Sequence, residues 1–202
     1  MQIGRQHLIK AAILLAVFTA GFFFGGSRIH SSLYKSETAD AFIYNGPWFT
    51  SRYAGASDAD ARTRALVAVT GLLALSREET VYFRLHEDSE GRPLSSDYDY
   101  VLKGADLPAR WWSITLYDSD HYLNQEATGP YSVKSTTLER EEDGSIRISL
   151  SSDPKEGNWI DMGTGQKMSL SMRVYNPSPE LVDNLETAPL FTIERIEKGQ
   201  GS

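Results

Sequence analysis

The stretch RWWSITLYDSD, residues 110–120, places Trp111 directly beside Trp112. Its aromatic and β-branched residues, followed by an Asp-rich turn, predict a β-strand. Successive side chains of a strand point to opposite faces of the sheet, so the two tryptophans cannot share one environment. The apolar face comprises Trp112, Ile114 and Leu116, and the mixed face comprises Trp111, Ser113, Thr115 and Tyr117. We predict that the apolar face belongs to the core, which leaves the role of the mixed face to be explained.

A second segment, residues 168–175, alternates in the same way. Its apolar positions are Met168, Leu170, Met172 and Val174, and its polar positions are Ser169, Ser171, Arg173 and Tyr175. If the two mixed faces adjoin, Arg173 lies among rings and hydroxyls, as in the lining of a small-molecule pocket. Asn158 and Trp159, on the preceding loop, would close this surface. The candidate ligand-binding residues are Trp111, Ser113, Thr115, Tyr117, Asn158, Trp159, Arg173 and Tyr175.

A structural interpretation competes with this pocket. The mixed face would then be covered by a helix at 57–75 or by the arm around Trp48 and Phe49, and Arg173 would donate to backbone carbonyls at a strand end. Because aromatic side chains mostly serve packing, this interpretation is the simpler one. The sequence leaves both open.

The rest of the chain predicts a mainly β fold. Residues 57–75 have a capping-box-like start and apolar residues at helical spacing, which indicates one amphipathic helix. Further strands are predicted at 80–85, 98–103, 131–136, 146–150 and 190–196. Asp143-Gly144 is typical of a hairpin turn and lies between the segments 131–136 and 146–150. About eight short strands separated by turns favour an antiparallel β-sandwich of jelly-roll or Greek-key type.

The N-terminal segment predicts a transmembrane anchor. Residues 11–27 carry no charge, and as a helix they span about 25 Å, slightly less than the roughly 30 Å hydrocarbon core. Leu8 and Ile9 lengthen the apolar stretch, so residues 8–27 are expected to contact the inner membrane. A cleaved secretory signal is the alternative, with small residues at 25–27, although the bulky residues 22–24 argue against cleavage.

These features divide the chain into an anchor at 1–30, a linker and arm at 31–49, and a β-sandwich domain at 50–198. Arg5, Lys10 and the terminal amine precede the apolar segment, whereas Arg28 and Lys35 follow it. The slight excess of positive charge before the apolar segment favours a single-pass protein of the inner membrane with its domain in the periplasm.

Composition excludes several classes of function. The chain has a net charge of −7, and residues 1–35 contain four basic residues and no acidic one, so residues 36–202 carry −11. A domain this acidic, with no basic stripe, is not expected to bind nucleic acid. The chain has no cysteine, which excludes thiol catalysis, disulfides and cysteine-based zinc sites.

Metal and cofactor sites are not predicted either. His86 and His121 are the two histidines of the domain, too few for a histidine cage. The Asp118-x-Asp120 turn falls short of the roughly six to eight oxygens that calcium requires. No nucleophile elbow, phosphate loop or histidine triad is present in the sequence.

A series of motifs resembles a known family. EETVYF, DSEGRPL, YDYVL, LPARWWSITLYD, DGSIRI, GNW and MRVYNP are similar, in order and spacing, to the bacterial family called domain of unknown function 1214. The resemblance covers residues 50–196 and implies a jelly-roll-like β-sandwich, often beside a second β-domain, with short membrane-anchored members. It implies no established activity. One departure is Ile160-Asp161, where the family usually has Leu-Pro.

Two hypotheses of function follow. The first is a non-catalytic module of the cell envelope that acts through contacts with an envelope protein or with a second copy of the chain. The second is a pocket enzyme or a binding protein for a small anionic or glycan ligand, which would use the aromatic, hydroxyl and Arg173 face. The sequence assigns no reaction.

Overall fold

A computed structural model describes residues 5–34, 41–56, 61, 64 and 75–198. It begins with helix α1, Arg5–Tyr34. Within α1, the 20 residues Ile9–Arg28 are long and apolar enough to cross a membrane, and none of this stretch is buried against the rest of the protein. The helix predicted at 57–75 lies outside the described residues, apart from helical backbone at Ala61 and Arg64.

The described domain contains eleven strands and one short helix. The first six strands are β1 (Phe42–Asn45), β2 (Trp48–Ser51), β3 (Thr80–Leu85), β4 (Leu94–Ser95), β5 (Asp99–Gly104) and β6 (Ala109–Tyr117). Then follow β7 (Ser132–Lys134), β8 (Ile146–Ser151), β9 (Trp159–Asp161), β10 (Gln166–Pro177), α2 (Pro179–Asp183) and β11 (Thr192–Ile196).

The strands form two sheets. The seven-stranded sheet has the order β1-β2-β3-β10-β6-β7, with β4 also paired to β10, and the four-stranded sheet has the order β11-β5-β8-β9. All pairs are antiparallel except β8 with β9. The predicted mainly β architecture is confirmed, and the jelly-roll order stays a prediction. Residues 42–49, assigned from the sequence to a linker and arm, supply β1 and the start of β2.

The two sheets bury one apolar core between their inner faces. The predicted core residues Trp112, Ile114 and Leu116 are at most 1% exposed, which confirms the assignment of the apolar face. The Trp112 ring contacts Phe191, just before β11, at a centroid distance of 5.2 Å. Burial of such large rings provides much of the hydrophobic stabilisation of a domain this size.

The Asp143-Gly144 turn forms, but the predicted hairpin is wrong. Gly144 has a φ of 82°, and its N–H donates to the Glu141 carbonyl at 2.9 Å. However, β7 pairs with β6 and β8 pairs with β5. The turn therefore passes between the two sheets. Local turn chemistry indicated a reversal of the chain but not the partner of each strand.

Asp161 fixes the turn at which the chain departs from the family pattern. Its side chain is buried, and its Oδ2 accepts from the N–H groups of Thr128 at 2.8 Å and Gly129 at 2.7 Å. Its Oδ1 accepts from the Gly163 N–H at 2.8 Å. A carboxylate that accepts several backbone hydrogen bonds holds the donating loops together. Asp161 therefore restrains this region through hydrogen bonds, whereas a proline would restrain it through its own ring.

Candidate functional site

The outer face of the seven-stranded sheet is the side turned away from the four-stranded sheet. Residues paired directly across antiparallel strands share a face, so the register assigns this side without ambiguity. Its positions are Phe42, Tyr44, Phe49, Ser51, Thr80, Tyr82, Arg84, Trp111, Ser113, Thr115, Tyr117, Ser132, Lys134, Ser169, Ser171, Arg173 and Tyr175. These positions include three cationic side chains and no carboxylate, although residues 36–202 carry a net charge of −11.

Arg173 lies at the centre of this face, paired with Ser113 on one side and Tyr82 on the other. Its Nη1 donates to Thr115 Oγ1 at 3.1 Å and its Nη2 donates to the Tyr117 hydroxyl. The guanidinium carbon lies 5.6 Å from the centroid of the Tyr117 ring. Within the described part of the chain, no carboxylate forms an ion pair with this half-buried cation.

Besides Tyr117, three more aromatic side chains lie on the outer face of the strands around Arg173. Trp111 and Tyr175 face each other across β6 and β10, with ring centroids 5.4 Å apart at 61°. Burial raises the pKa of Tyr82, and a hydrogen bond with Tyr175 adds to this, whereas the charge of Arg173 acts in the opposite direction. Tyr82 is therefore a neutral hydroxyl at ordinary pH.

Four small hydroxyl residues form the floor beneath these larger side chains. They are Ser113, Thr115, Ser169 and Ser171, each between 5% and 7% exposed. We call the set formed by Trp111, Ser113, Thr115, Tyr117, Arg173 and Tyr175, together with Tyr82, the Arg173 site. The structure thus brings together six of the eight candidate residues. Sequence reasoning missed Tyr82, although the alternation of the strand at 80–85 gave a usable signal.

The chain contains the matching segment of a known family. The model for Protein of unknown function (DUF1214) matches residues 79–179, which is half of the chain. The chain belongs to this family. The DUF1214 segment contains the whole Arg173 site with β3, β6 and β10, whereas β1, β2 and β11 lie outside it.

One solved structure shares the fold. The crystal structure of the VPA0106 protein from Vibrio parahaemolyticus matches with a TM-score of 0.60 and 20% identity, covering 98% of this chain and 47% of that one. The chain therefore spans about half the length of that protein. A putative uncharacterized protein from Burkholderia cenocepacia matches with a TM-score of 0.43 and 22% identity over 61% of this chain and 31% of that one. No curated protein matches this DUF1214 chain.

Asn158 and Trp159 do not belong to the Arg173 site, so the expectation that they close it is wrong. Trp159 lies in β9 opposite Ser149, on the outer face of the four-stranded sheet. Its Nε1 donates to the Ser151 carbonyl at 3.0 Å, and a Cβ at Gly129 would fall 2.4 Å from its ring. Asn158 Nδ2 donates to the carbonyls of Glu139 and Arg147 at 2.8 and 2.9 Å. Both side chains hold the opposite side of the sandwich together.

Two parts of the structural interpretation are also corrected. Arg173 donates to side-chain hydroxyls and not to backbone carbonyls. Trp48 does not cover the outer face, because it is 1% exposed on the inner face and its Nε1 donates to the Phe191 carbonyl at 2.6 Å. Phe49, its neighbour, lies on the outer face opposite Arg84.

Proposed function

We propose that this DUF1214 chain is a membrane-anchored, non-catalytic module of the cell envelope whose periplasmic domain binds an acidic protein partner through the Arg173 site. The observation that carries the proposal is the half-buried Arg173 guanidinium, which is held by the hydroxyls of Thr115 and Tyr117 on a face whose described strand positions include no carboxylate. The carboxylate of a partner would supply the missing negative charge.

The hydrogen bonding of Arg173 leaves room for such a group. A guanidinium has five N–H donors in a planar fork, and the contacts with Thr115 and Tyr117 use two of them. Arg pairs with carboxylates through two parallel hydrogen bonds, which are stronger than neutral ones. A cation that is partly removed from water gains most from such a partner.

The surrounding groups support binding more than catalysis. Thr115, Tyr117 and Tyr82 offer hydroxyl groups, and the raised pKa of Tyr82 keeps its hydroxyl protonated, so it is not available as a base. General acid–base chemistry needs a group that titrates near the working pH, and the seven residues of the Arg173 site include no histidine or carboxylate. Aromatic rings around an arginine are typical of the centre of a protein contact. The partner would be an envelope protein or a second copy of this acidic chain.

A second candidate function is a pocket enzyme or binding protein for a small anionic or glycan ligand. The buried hydroxyl residues on the same face as the half-buried Trp111 favour it, because a ring near hydroxyls suits the apolar and polar faces of such ligands. In this case the ligand would sit between Trp111 and Arg173.

Melting of the full chain in detergent with two probes tests both candidates. Benzoate serves as the small carboxylate, a glutamate-rich peptide serves as the acidic protein surface, and sodium chloride matches the ionic strength. A ligand that binds only the folded state at a hundred times its dissociation constant stabilises by roughly 2.7 kcal/mol. We expect a probe to raise the melting temperature of the wild type but not of Arg173→Gln.

Arg147→Gln is the matched control, because Arg147 is exposed on β8 in the other sheet. It should respond to the probes like the wild type. A shift with the peptide alone supports a protein partner, and a shift with benzoate supports a small ligand. Equal shifts in all three proteins, or none in any, would show that the Arg173 site does not recognise anions.

The topology is a separate part of the proposal. Arg5 lies before the apolar stretch of α1 and Lys10 lies at its start, and such positive charges favour the cytoplasmic side. A reporter that is active only in the periplasm, fused to Ser202, should be active, and the mature protein should keep its full mass. An active cytoplasmic reporter would overturn the orientation, and a mass without residues 1–27 would overturn the anchor.

A further inference from the structure

Three aromatic rings cluster on the outer face at one edge of the seven-stranded sheet. Phe42, Tyr44 and Phe49 lie on β1 and β2, where the Phe42–Phe49, Tyr44–Phe49 and Phe42–Tyr44 centroids are 5.4, 6.1 and 6.4 Å apart. The His86 ring extends the cluster, 5.1 Å from Phe49. Tyr44 is 57% exposed, so its ring is largely in contact with solvent.

A cation adjoins these rings. Arg84 lies directly opposite Phe49 across β2 and β3, and its side chain is exposed. We call the set Phe42, Tyr44, Phe49, Arg84 and His86 the aromatic edge. It lies on the strands nearest to α1 in the chain and, apart from Arg84 and His86, outside the DUF1214 segment.

The aromatic edge begins close to the end of α1 along the chain. Six residues separate Tyr34, the last of α1, from Ala41, and a fully extended chain covers at most about 25 Å over that distance. The candidate span ends at Arg28, so α1 continues for six more residues, or about 9 Å of helix. The first strand of the domain is therefore tethered near the surface of any membrane that α1 crosses.

We infer that the aromatic edge contacts the headgroup layer of this membrane, with its rings among the headgroups and Arg84 against lipid phosphate. This inference rests on the membrane anchoring proposed above and does not depend on the ligand of the Arg173 site. Tyrosine is enriched where proteins meet the membrane interface because its ring is apolar and its hydroxyl is polar.

The tether lowers the affinity that such a contact needs. A group attached by a short linker has an effective concentration in the millimolar range near its target. A basic residue such as Arg84 is attracted to an anionic lipid surface, and the apolar rings add to this. One cation and three rings are then enough to hold the domain in a preferred orientation on the lipid, with the Arg173 site next to the surface on the same face.

Single-cysteine labelling tests the inference cleanly because the chain has no cysteine. Tyr44→Cys places a nitroxide on the aromatic edge, and Tyr131→Cys is the matched control. Tyr131 is 50% exposed just before β7, at the other edge of the same sheet. Five strand spacings of about 4.8 Å put the two edges roughly 24 Å apart. The full chain is reconstituted into nanodiscs of mixed zwitterionic and anionic lipid, and collisions of each label with oxygen and with a water-soluble nickel complex are measured.

We expect the label at 44 to collide several-fold more with oxygen relative to nickel than the label at 131. Adding Arg84→Glu to the Tyr44→Cys protein should reduce that ratio. Equal, water-like accessibility at both sites would overturn the inference, and so would a label at 44 shielded from both reagents, which would indicate a protein contact. Recovery of the chain outside the nanodiscs would instead contradict the anchoring itself, so the two failures are distinguishable.

Discussion

Trp111 and Trp112 are consecutive residues of β6, yet they belong to two regions with different chemistry. Trp112 is 1% exposed and packs on Phe191 between the sheets. Trp111 is half-buried on the outer face, where it contacts Tyr175 beside Arg173. The inner face joins apolar side chains from both sheets into one core, whereas the outer face combines rings, hydroxyls and cations.

The comparison shows that burial alone does not define a core. Ser113 and Thr115 are 6% and 5% exposed, almost as buried as the apolar residues beside them. Their surroundings differ, because on the outer face they lie beside Arg173, which donates a hydrogen bond to Thr115. A buried polar layer under a cation is costly for stability alone, and it is expected where a surface is built for contact.

The largest loss of stability is expected when Trp112 is removed from the inner face. Trp112→Ala deletes a fully buried ring and leaves a cavity beside Phe191, so it should lower the free energy of unfolding by about 3 to 5 kcal/mol. Denaturant unfolding of the full chain in detergent measures this. Since domains are commonly stable by only about 5 to 15 kcal/mol, the variant should also express poorly. A midpoint equal to that of the wild type would mean that Trp112 is not a core residue.

Asp88 contrasts with Arg173, because its charge is paired with arginines of the same domain. The Asp88 side chain is 1% exposed and lies 2.9 Å from Arg92 Nε and 3.2 Å from Arg195 Nε. Burial raises the pKa of Asp88, but hydrogen bonds from the backbone and side chain of Arg92 and from the Glu90 backbone outweigh it, so the pKa is lowered. In contrast to Arg173, this charge is satisfied within the domain.

The sign of the pH dependence follows from that lowered pKa. A carboxylate whose pKa is lower in the folded than in the unfolded state stabilises the protein at pH values above its unfolded-state pKa, near 3.9. This contribution is lost as the pH falls through the folded-state pKa. Asp88→Asn should cost about 1.5 to 3 kcal/mol at neutral pH, the usual range for hydrogen bonds to charged groups, and should lose less stability in acid than the wild type. Parallel acid unfolding curves for the two proteins would show that Asp88 does not contribute.

Part of this arrangement could be predicted from the sequence, because alternation is a local property. The period of two in residues 110–117 and 168–175 assigned Trp112 to the core and placed Arg173 on the mixed face. The strands at 80–85 and 146–150 were also close to those observed.

Strand pairing could not be predicted, because it depends on contacts between distant residues. Asn158 and Trp159, which the sequence places on a loop closing the Arg173 site, therefore lie at the other sheet, and β7 and β8 do not form the expected hairpin. The role of Asp161 depends on backbone N–H groups more than thirty residues away in the case of Thr128 and Gly129. No local pattern signals such a contact.

The central claim is that Trp111 serves the contact surface and not the core, and the unfolding free energy of Trp111→Ala tests it most directly. In the same assay as Trp112→Ala, loss of the half-buried ring and its contact with Tyr175 should cost about 1 to 2.5 kcal/mol, because half of the roughly 1.5 to 3 kcal/mol for a fully buried side chain adds to the roughly 0.5 to 1.5 kcal/mol of an aromatic pair. The variant should fold and express normally. A loss of about 3 kcal/mol or more, the range for a large core aromatic, would make Trp111 a packing residue and contradict the account.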